Sequence, residues 1–277
     1  MTDKKNDIFG DKIKALESIS AKETLDENLP IMVRIDGKAF HTFTRGLKRP
    51  YDARLSKAMI DTMNYLLDKT DARLGYTQSD EITLVYFKVA DNQQGYFGSR
   101  VQKLVSILSS MATAKFNKEV ELNIPEKKDI FAFFDCRVWN VPTLKDAADV
   151  FVWRQEDAIK NAISMAAHAY YSHGSLQKKK SSDKIQLLKE KGIEWSDYPE
   201  FFKSGTYAIR GLVEEPMPEE LRKLKTNANK ETYVRSQINN YSLDRLSKLE
   251  NYEDILFGDV FKNRKIKVDH IKKNKMK

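Results

Sequence analysis

The chain has 277 residues and a net charge of +8, with 41% hydrophobic and 32% charged side chains. That balance excludes a disordered or collagen-like polymer, and no apolar run approaches the roughly 18 residues of a membrane span. One cysteine, Cys136, can neither staple a disulfide framework nor build a thiolate zinc site.

Residues 1–7 lack the apolar core of a secretory signal, so the expectation is a soluble, cytoplasmic protein without membrane partners, the mitochondrion being the runner-up compartment. In chain order, residues 11–19 read as a short amphipathic helix and 31–35 as a buried strand that stops at Asp36-Gly37. Leu55, Met59, Met63, Leu66 and Leu67 fall at helical spacing and predict a helix over 53–69. Two short runs, 72–77 and 82–87, have hairpin spacing around Gln78-Ser79-Asp80-Glu81, although the turn lacks the usual Asn-Gly signal. A second helix is predicted over 97–118 and a strand over 130–135. The order β-α-β-β-α-β is the split-βαβ, ferredoxin-like arrangement, an antiparallel sheet with both helices on one face. Beyond it, 143–172 read as mostly helical, and 175–250 are polar with weak periodicity. The expected fold class is therefore α+β: a palm-like catalytic core over 1–140, a helical C-terminal region over 141–261 packed on it, and a basic tail over 262–277. That tail holds eight Lys or Arg against Asp269, which accounts for +7 of the net charge. It reads either as a solvated terminus or as an arm on a polyanion.

Asp36 stands at the carboxyl end of the first strand, and Asp80 and Glu81 stand in the hairpin turn. A split-βαβ sheet sets that strand beside the hairpin, so the acids converge at one edge. Convergent carboxylates suit a pair of Mg²⁺ ions, which prefer oxygen ligands and share them with substrate phosphates. Gly37 would let a triphosphate approach the main chain closely. The alternative is an ordinary Asp-Gly turn beside an unrelated acidic hairpin.

Residues 34–43 (Arg-Ile-Asp-Gly-Lys-Ala-Phe-His-Thr-Phe), 49–54 (Arg-Pro-Tyr-Asp-Ala-Arg) and 75–81 (Gly-Tyr-Thr-Gln-Ser-Asp-Glu) resemble the tRNA(His) guanylyltransferase family. Residues 134–137 (Phe-Asp-Cys-Arg) and 153–157 (Trp-Arg-Gln-Glu-Asp) continue the resemblance, which covers roughly 10–210. It implies a polymerase-like palm and Mg²⁺-dependent addition of nucleotides to the 5′ end of tRNA, with ATP and GTP or other nucleoside triphosphates as substrates, in a homotetramer. It also implies Asp36, Asp80 and the Gly37 carbonyl as metal ligands, with Glu81 as a neighbouring catalytic acid. Lys38, Ala39, Phe40, His41, Asp52, Ser79 and Lys103 fall where the family binds nucleotide. His41 equally suits a turn, Lys103 a solvated helix face, and Asp52 a helix cap.

The family's eukaryotic members carry an Asn-rich motif after Trp-Arg-Gln. Here residues 159–165 read Ile-Lys-Asn-Ala-Ile-Ser-Met and keep only Asn161. That departure resembles the guanylyltransferase-like branch, whose implied task is template-dependent 3′-to-5′ repair of truncated tRNA. Dedicated addition of G to tRNA(His) is the alternative. Lys178, Lys179 and Lys180 form a basic loop suited to an RNA backbone or to solvent, and Arg154 and Asn161 are further candidate RNA contacts. His168 and His173, five apart, share no helical face and are dismissed as a metal site. A nucleotidyl cyclase could use the same acid pair, but its guanine-specific members carry a Gly-Gly-acid turn. A non-catalytic tRNA-binding protein is the rival from another class.

Overall fold

The structure is a computed structural model that describes residues 8–88, 93–223, 231–262 and 271–272. Its elements are α1 (Ile8–Ala21), β1 (Ile31–Gly37), α2 (Phe40–Phe43), α3 (Ala53–Lys69), β2 (Leu74–Gln78), β3 (Glu81–Tyr86), α4 (Val101–Asn123), β4 (Phe134–Asn140) and α5 (Leu144–His168). The chain continues through α6 (His173–Leu176), α7 (Ser181–Glu190), α8 (Glu200–Lys203), β5 (Thr206–Pro216), α9 (Glu219–Arg222), β6 (Thr232–Leu243), α10 (Tyr252–Lys262) and β7 (Ile271–Lys272). No helix among the described residues is long and apolar enough to cross a membrane. Apart from 262 and 271–272, the basic tail lies outside the described residues.

The strands form one antiparallel sheet in the order β4-β1-β3-β2-β5-β6-β7, whose first four members are the expected split-βαβ motif. Alternation along β1 sends Ile31, Val33 and Ile35 to one face, where α3 and α4 cover them with Met59, Met63, Leu66, Leu108 and Phe116. Met32 faces the other way, into a second core that α5 and α10 build with Phe151 and Phe257. Arg34 and Asp36 share that second face, beyond the apolar cover.

Helix α3 begins where expected because Asp52 caps it, accepting the Arg54 N–H at 3.0 Å. Helix α4 starts later than expected, because Phe97, Gly98 and Ser99 all take left-handed backbone angles. Strand β4 also differs. The apolar run 130–133 lies outside the sheet, and the Asn117 side chain stands in for a strand partner. It accepts the Ala132 N–H at 2.9 Å and donates to the Ala132 carbonyl at 2.8 Å. The expectation of helix holds for α5 and α7 but not for Thr206–Pro216 and Thr232–Leu243, which form two long strands. β5 pairs with β2 from Thr77↔Thr206 to Leu74↔Ile209, and with β6 from Tyr207↔Tyr241 to Pro216↔Thr232, so the sheet runs on past residue 140.

Candidate active site

Two strand ends meet where β1 finishes and the β2–β3 turn begins. In the ladder Asp36 lies opposite Glu81 on one side and Asp135 on the other. The Gly37 N–H donates to the Asp80 carbonyl at 3.1 Å, and the Lys38 N–H to the Phe133 carbonyl at 2.8 Å. The turn itself is two residues, Ser79-Asp80, and Ser79 takes a left-handed φ of 56° without being glycine. Such a conformation costs about 1 kcal/mol, and the flanking bonds hold it. Thr77 Oγ1 donates to the Glu81 carbonyl at 2.7 Å, and Gln78 Nε2 donates to the Phe202 carbonyl at 3.2 Å.

The acids differ in what surrounds them. Glu81 accepts from Nε of Arg154 at 2.6 Å and from its Nη2, and Arg34 stands 3.8 Å away. Burial pushes the Glu81 carboxyl up and these two guanidinium groups oppose the shift. Glu81, expected as a neighbouring catalytic acid, is thus ion-paired with Arg154 and also accepts from Thr83 Oγ1 at 3.2 Å. The Asp80 carboxyl accepts from the Ser79 hydroxyl at 3.0 Å and from its own N–H. Burial pushes its carboxyl above the usual range, and the charge of Asp36 adds to that. Among the described residues no Lys or Arg pairs with Asp36 or Asp80, and no cluster of three or more His, Cys, Asp or Glu ligands forms. A half-buried carboxylate pair without a protein cation, beside a main-chain carbonyl, is an all-oxygen donor set of the kind Mg²⁺ takes, with substrate phosphates completing the shell. The donor set fits the ion.

A cleft of about 780 Å³ opens from this pair toward α2 and α3. Asp36, Gly37, Ala39, Phe40, His41, Asp52, Ser79 and Asp80 line it, so most of the expected nucleotide residues converge. Two of them do other work. Asp52 is buried, and its oxygens are engaged by Arg54 Nε at 3.0 Å and Arg54 Nη2 at 2.8 Å as well as by the cap. The ring of Phe40 packs on Phe43, Phe116 and Phe134. A Cβ on Gly37 would meet that ring at 2.3 Å, so packing requires this glycine whether or not a phosphate approaches it.

Lys38 is exposed and does not line the cleft. Lys103 is exposed on the first turn of α4, about 20 Å along the helix from Phe116, and does not reach the cleft within the chain. Lys178, Lys179 and Lys180 are exposed before α7 and also lie outside it. Arg154 is taken up by Glu81 and stacks on Trp153, with 4.5 Å to the ring centroid. Asn161 donates to Asp157 at 3.2 Å and lines a second cavity of about 560 Å³ on the α5 side of the acid pair. His168, dismissed as a ligand, lines the main cleft and stacks parallel on His173 at 5.6 Å.

The cleft's opposite wall was missed from sequence. Arg45, Lys48 and Arg49 line it from the loop between α2 and α3, and no described residue engages their side chains. Tyr51, Phe201 and Phe202 add an aromatic surface, with Tyr51 stacked on Phe202 at 4.8 Å. Arg49-Pro50-Tyr51-Asp52 was visible as a motif. The signal for its cations was their adjacency to Asp52.

A split-βαβ sheet with two carboxylates at adjoining strand ends, facing a cationic loop, defines a nucleotidyl-transferring palm. The model of the tRNAHis guanylyltransferase family, Thg1, matches residues 10–142. The tRNA(His) guanylyltransferase of Saccharomyces cerevisiae is 30% identical over 68% of this chain and 86% of its own length. A structure of a bacterial tRNA(His) guanylyltransferase (Thg1)-like protein in complex with ATP superposes with a TM-score of 0.72 and 33% identity, covering 90% of this chain and 98% of that one. A second structure of such a protein, in complex with GTP, gives 0.65 and 32%, over 84% of this chain and 91% of that one. The chain belongs to the tRNA(His) guanylyltransferase family, nucleotidyltransferases that act on tRNA.

Proposed function

We propose that this chain extends the 5′ end of truncated tRNAs in the 3′-to-5′ direction, copying the opposing strand, with ATP and GTP or other nucleoside triphosphates as substrates. The observation that carries the reading is a charge opposition across one cleft. Among the described residues, Asp36 and Asp80 have no cationic partner on one wall, and Arg45, Lys48 and Arg49 have no anionic partner on the other. A triphosphate bridges such walls, its oxygens meeting the cations and, through bound metal, the carboxylates.

Asp36, Asp80 and the Gly37 carbonyl would hold two Mg²⁺ ions, which when bound lower the pKa of an attacking hydroxyl and neutralise charge on the phosphoryl group in transfer. The chain's own residues align the reactants. The 3′-oxygen of the incoming nucleotide forms the new bond to the 5′ phosphorus and loses its proton. Pyrophosphate leaves a triphosphorylated end, and AMP leaves an adenylylated one. Ser79 keeps Asp80 aimed at this centre, and His41 and the cationic loop hold the triphosphate. A homotetramer belongs to the same reading, and exposed apolar side chains such as Phe9, Leu122 and Phe131 support assembly.

Two features favour templated repair over dedicated G addition. Beside the cationic loop the cleft carries the rings of Tyr51, Phe201 and Phe202, whose faces stack on any base alike. On α5, Ala162, Ile163 and Ala166 are buried, Ala162 and Ala166 in a small core with Phe202, and Asn161 is tied to Asp157. The half-buried Ser164 accepts from Lys184 at 2.5 Å, and the exposed Lys160 is an ammonium with no acceptor for the guanine N1 and N2 donors. The test is relative kcat/KM for adding G opposite C and opposite A at the first missing position. We expect a preference for C of at least about tenfold, the equivalent of 1.4 kcal/mol. A ratio near one, or a preference for A, would restore dedicated tRNA(His) guanylylation.

A further inference from the structure

Outside the acid pair, one buried cation stands on the short turn Pro125–Lys127 that follows α4. Lys127 is only 8% exposed. Its ammonium donates to the Arg45 carbonyl at 2.7 Å and lies 5.8 Å from the ring centroid of Phe43. Among the described residues no carboxylate pairs with it. A cation buried against one carbonyl and one ring is costly, and a methionine would fill the same space without the charge. The neighbouring Glu126 accepts from both terminal nitrogens of Arg54, at 3.2 and 2.6 Å. The same guanidinium holds Asp52, and Asp52 accepts the Lys48 N–H at 3.4 Å.

One three-residue turn therefore grips the loop at both ends. Lys127 fixes the main chain at Arg45, and Glu126 fixes it at Lys48 through Arg54 and Asp52. Between these two attachments the loop carries its unengaged cations. We propose that Lys127 and Glu126 are positioning residues for triphosphate binding, setting the backbone of residues 45–49 so that Arg45, Lys48 and Arg49 face the acid pair. This rests on the reading of the cleft as the triphosphate site. Neither residue lines the cleft, so each acts through the loop.

The test compares Lys127→Met, Lys127→Arg and Glu126→Gln in the full chain. The readouts are KM for ATP and GTP against kcat in tRNA extension, calorimetric binding of a non-hydrolysable ATP analogue, and hydrogen exchange over residues 44–49. Lys127→Met should weaken analogue binding and raise KM about tenfold while kcat stays within about twofold, the scale of one charge-assisted contact. Exchange should quicken over 44–49 and not in the strands, and Lys127→Arg should restore most of the loss. Unchanged KM and exchange in Lys127→Met would overturn the proposal, as would a fall in kcat alone. If Lys127→Met does not fold, Glu126→Gln decides, with an expected rise in KM of about threefold. Loss in both Lys127 variants with exchange rising throughout the chain would mark general destabilisation and also overturn it. The double variant Lys48→Ala/Arg49→Ala separates the two readings. If it binds the analogue like wild type, the triphosphate site is wrong. If it loses the analogue while Lys127→Met keeps it, only the clamp falls.

Discussion

The two walls of the cleft are built by different means. Asp36 and Asp80 stand at strand ends, where ladder pairing and the Gly37-to-Asp80 main-chain bond set their positions. Arg45, Lys48 and Arg49 stand on a loop held by side chains reaching from elsewhere, through Lys127, Arg54 and Asp52. The acid wall thus tolerates loss of its own side chains, because backbone pairing survives them. The loop wall depends on Lys127 and Arg54, neither of which lines the cleft.

The sharpest way to break this contrast is on the acid wall. Asp36→Ala or Asp80→Ala should lower nucleotide addition by at least about a thousandfold, with tRNA binding and folding retained. Single-turnover extension of a 5′-truncated tRNA measures it, and near-normal turnover at saturating Mg²⁺ would refute the assignment of the pair. The next largest effect lies behind that wall. Arg154→Ala strands the largely buried Glu81 carboxylate and should cost about 3 kcal/mol of stability. The denaturant midpoint measures it, and a cost below about 1 kcal/mol would mean that Arg34 alone satisfies Glu81.

The smallest effect belongs to the loop wall. Asp52→Ala should cost about 1–2 kcal/mol through the lost cap. Hydrogen bonds from Arg54, with those from the Arg54 and Lys48 N–H groups, hold the Asp52 carboxyl below its ordinary value. The folded chain therefore takes up this proton at lower pH than the unfolded chain. The stability contributed by Asp52 is complete above the usual carboxylate range and is lost as pH falls through the lowered value. Melting temperatures of wild type and Asp52→Ala should converge as pH drops from about 6 toward about 3. A gap that widens on acidification would contradict the sign.

The contrast also explains what could be read from sequence. The palm order, the bounds of α3 and the convergence of Asp36 with Asp80 follow from local signals: β-branched runs, helical spacing and a turn between two strands. The loop cations were passed over because their holders, Glu126 and Lys127, lie far away in the chain and have no local signature. Strands β5 and β6 were hidden for a similar reason. Their partner β2 is distant in sequence, and Tyr207 and Ile209 alternate too briefly among polar neighbours to stand out from a loop. The strand expected over 130–135 misled in the opposite direction. Its apolar residues suggested a ladder, but Ile130, Phe131 and Phe133 are exposed and Asn117 takes the place of a partner strand. Glu81 could be located but not interpreted, since only the fold reveals that Arg154 reaches it.

Strand β2 leads into the Asp80 turn and is paired on both sides, by β3 and by β5. A fragment ending after β4 would keep Asp36, Asp80 and Glu81, yet it would bare one rim of β2 from Leu74 to Thr77. Unsatisfied amides and carbonyls along an open rim recruit strands from other molecules. The second half of the chain is therefore a shield as well as an appendage: without it, the smallest piece that holds the acid pair would be a seed for aggregation.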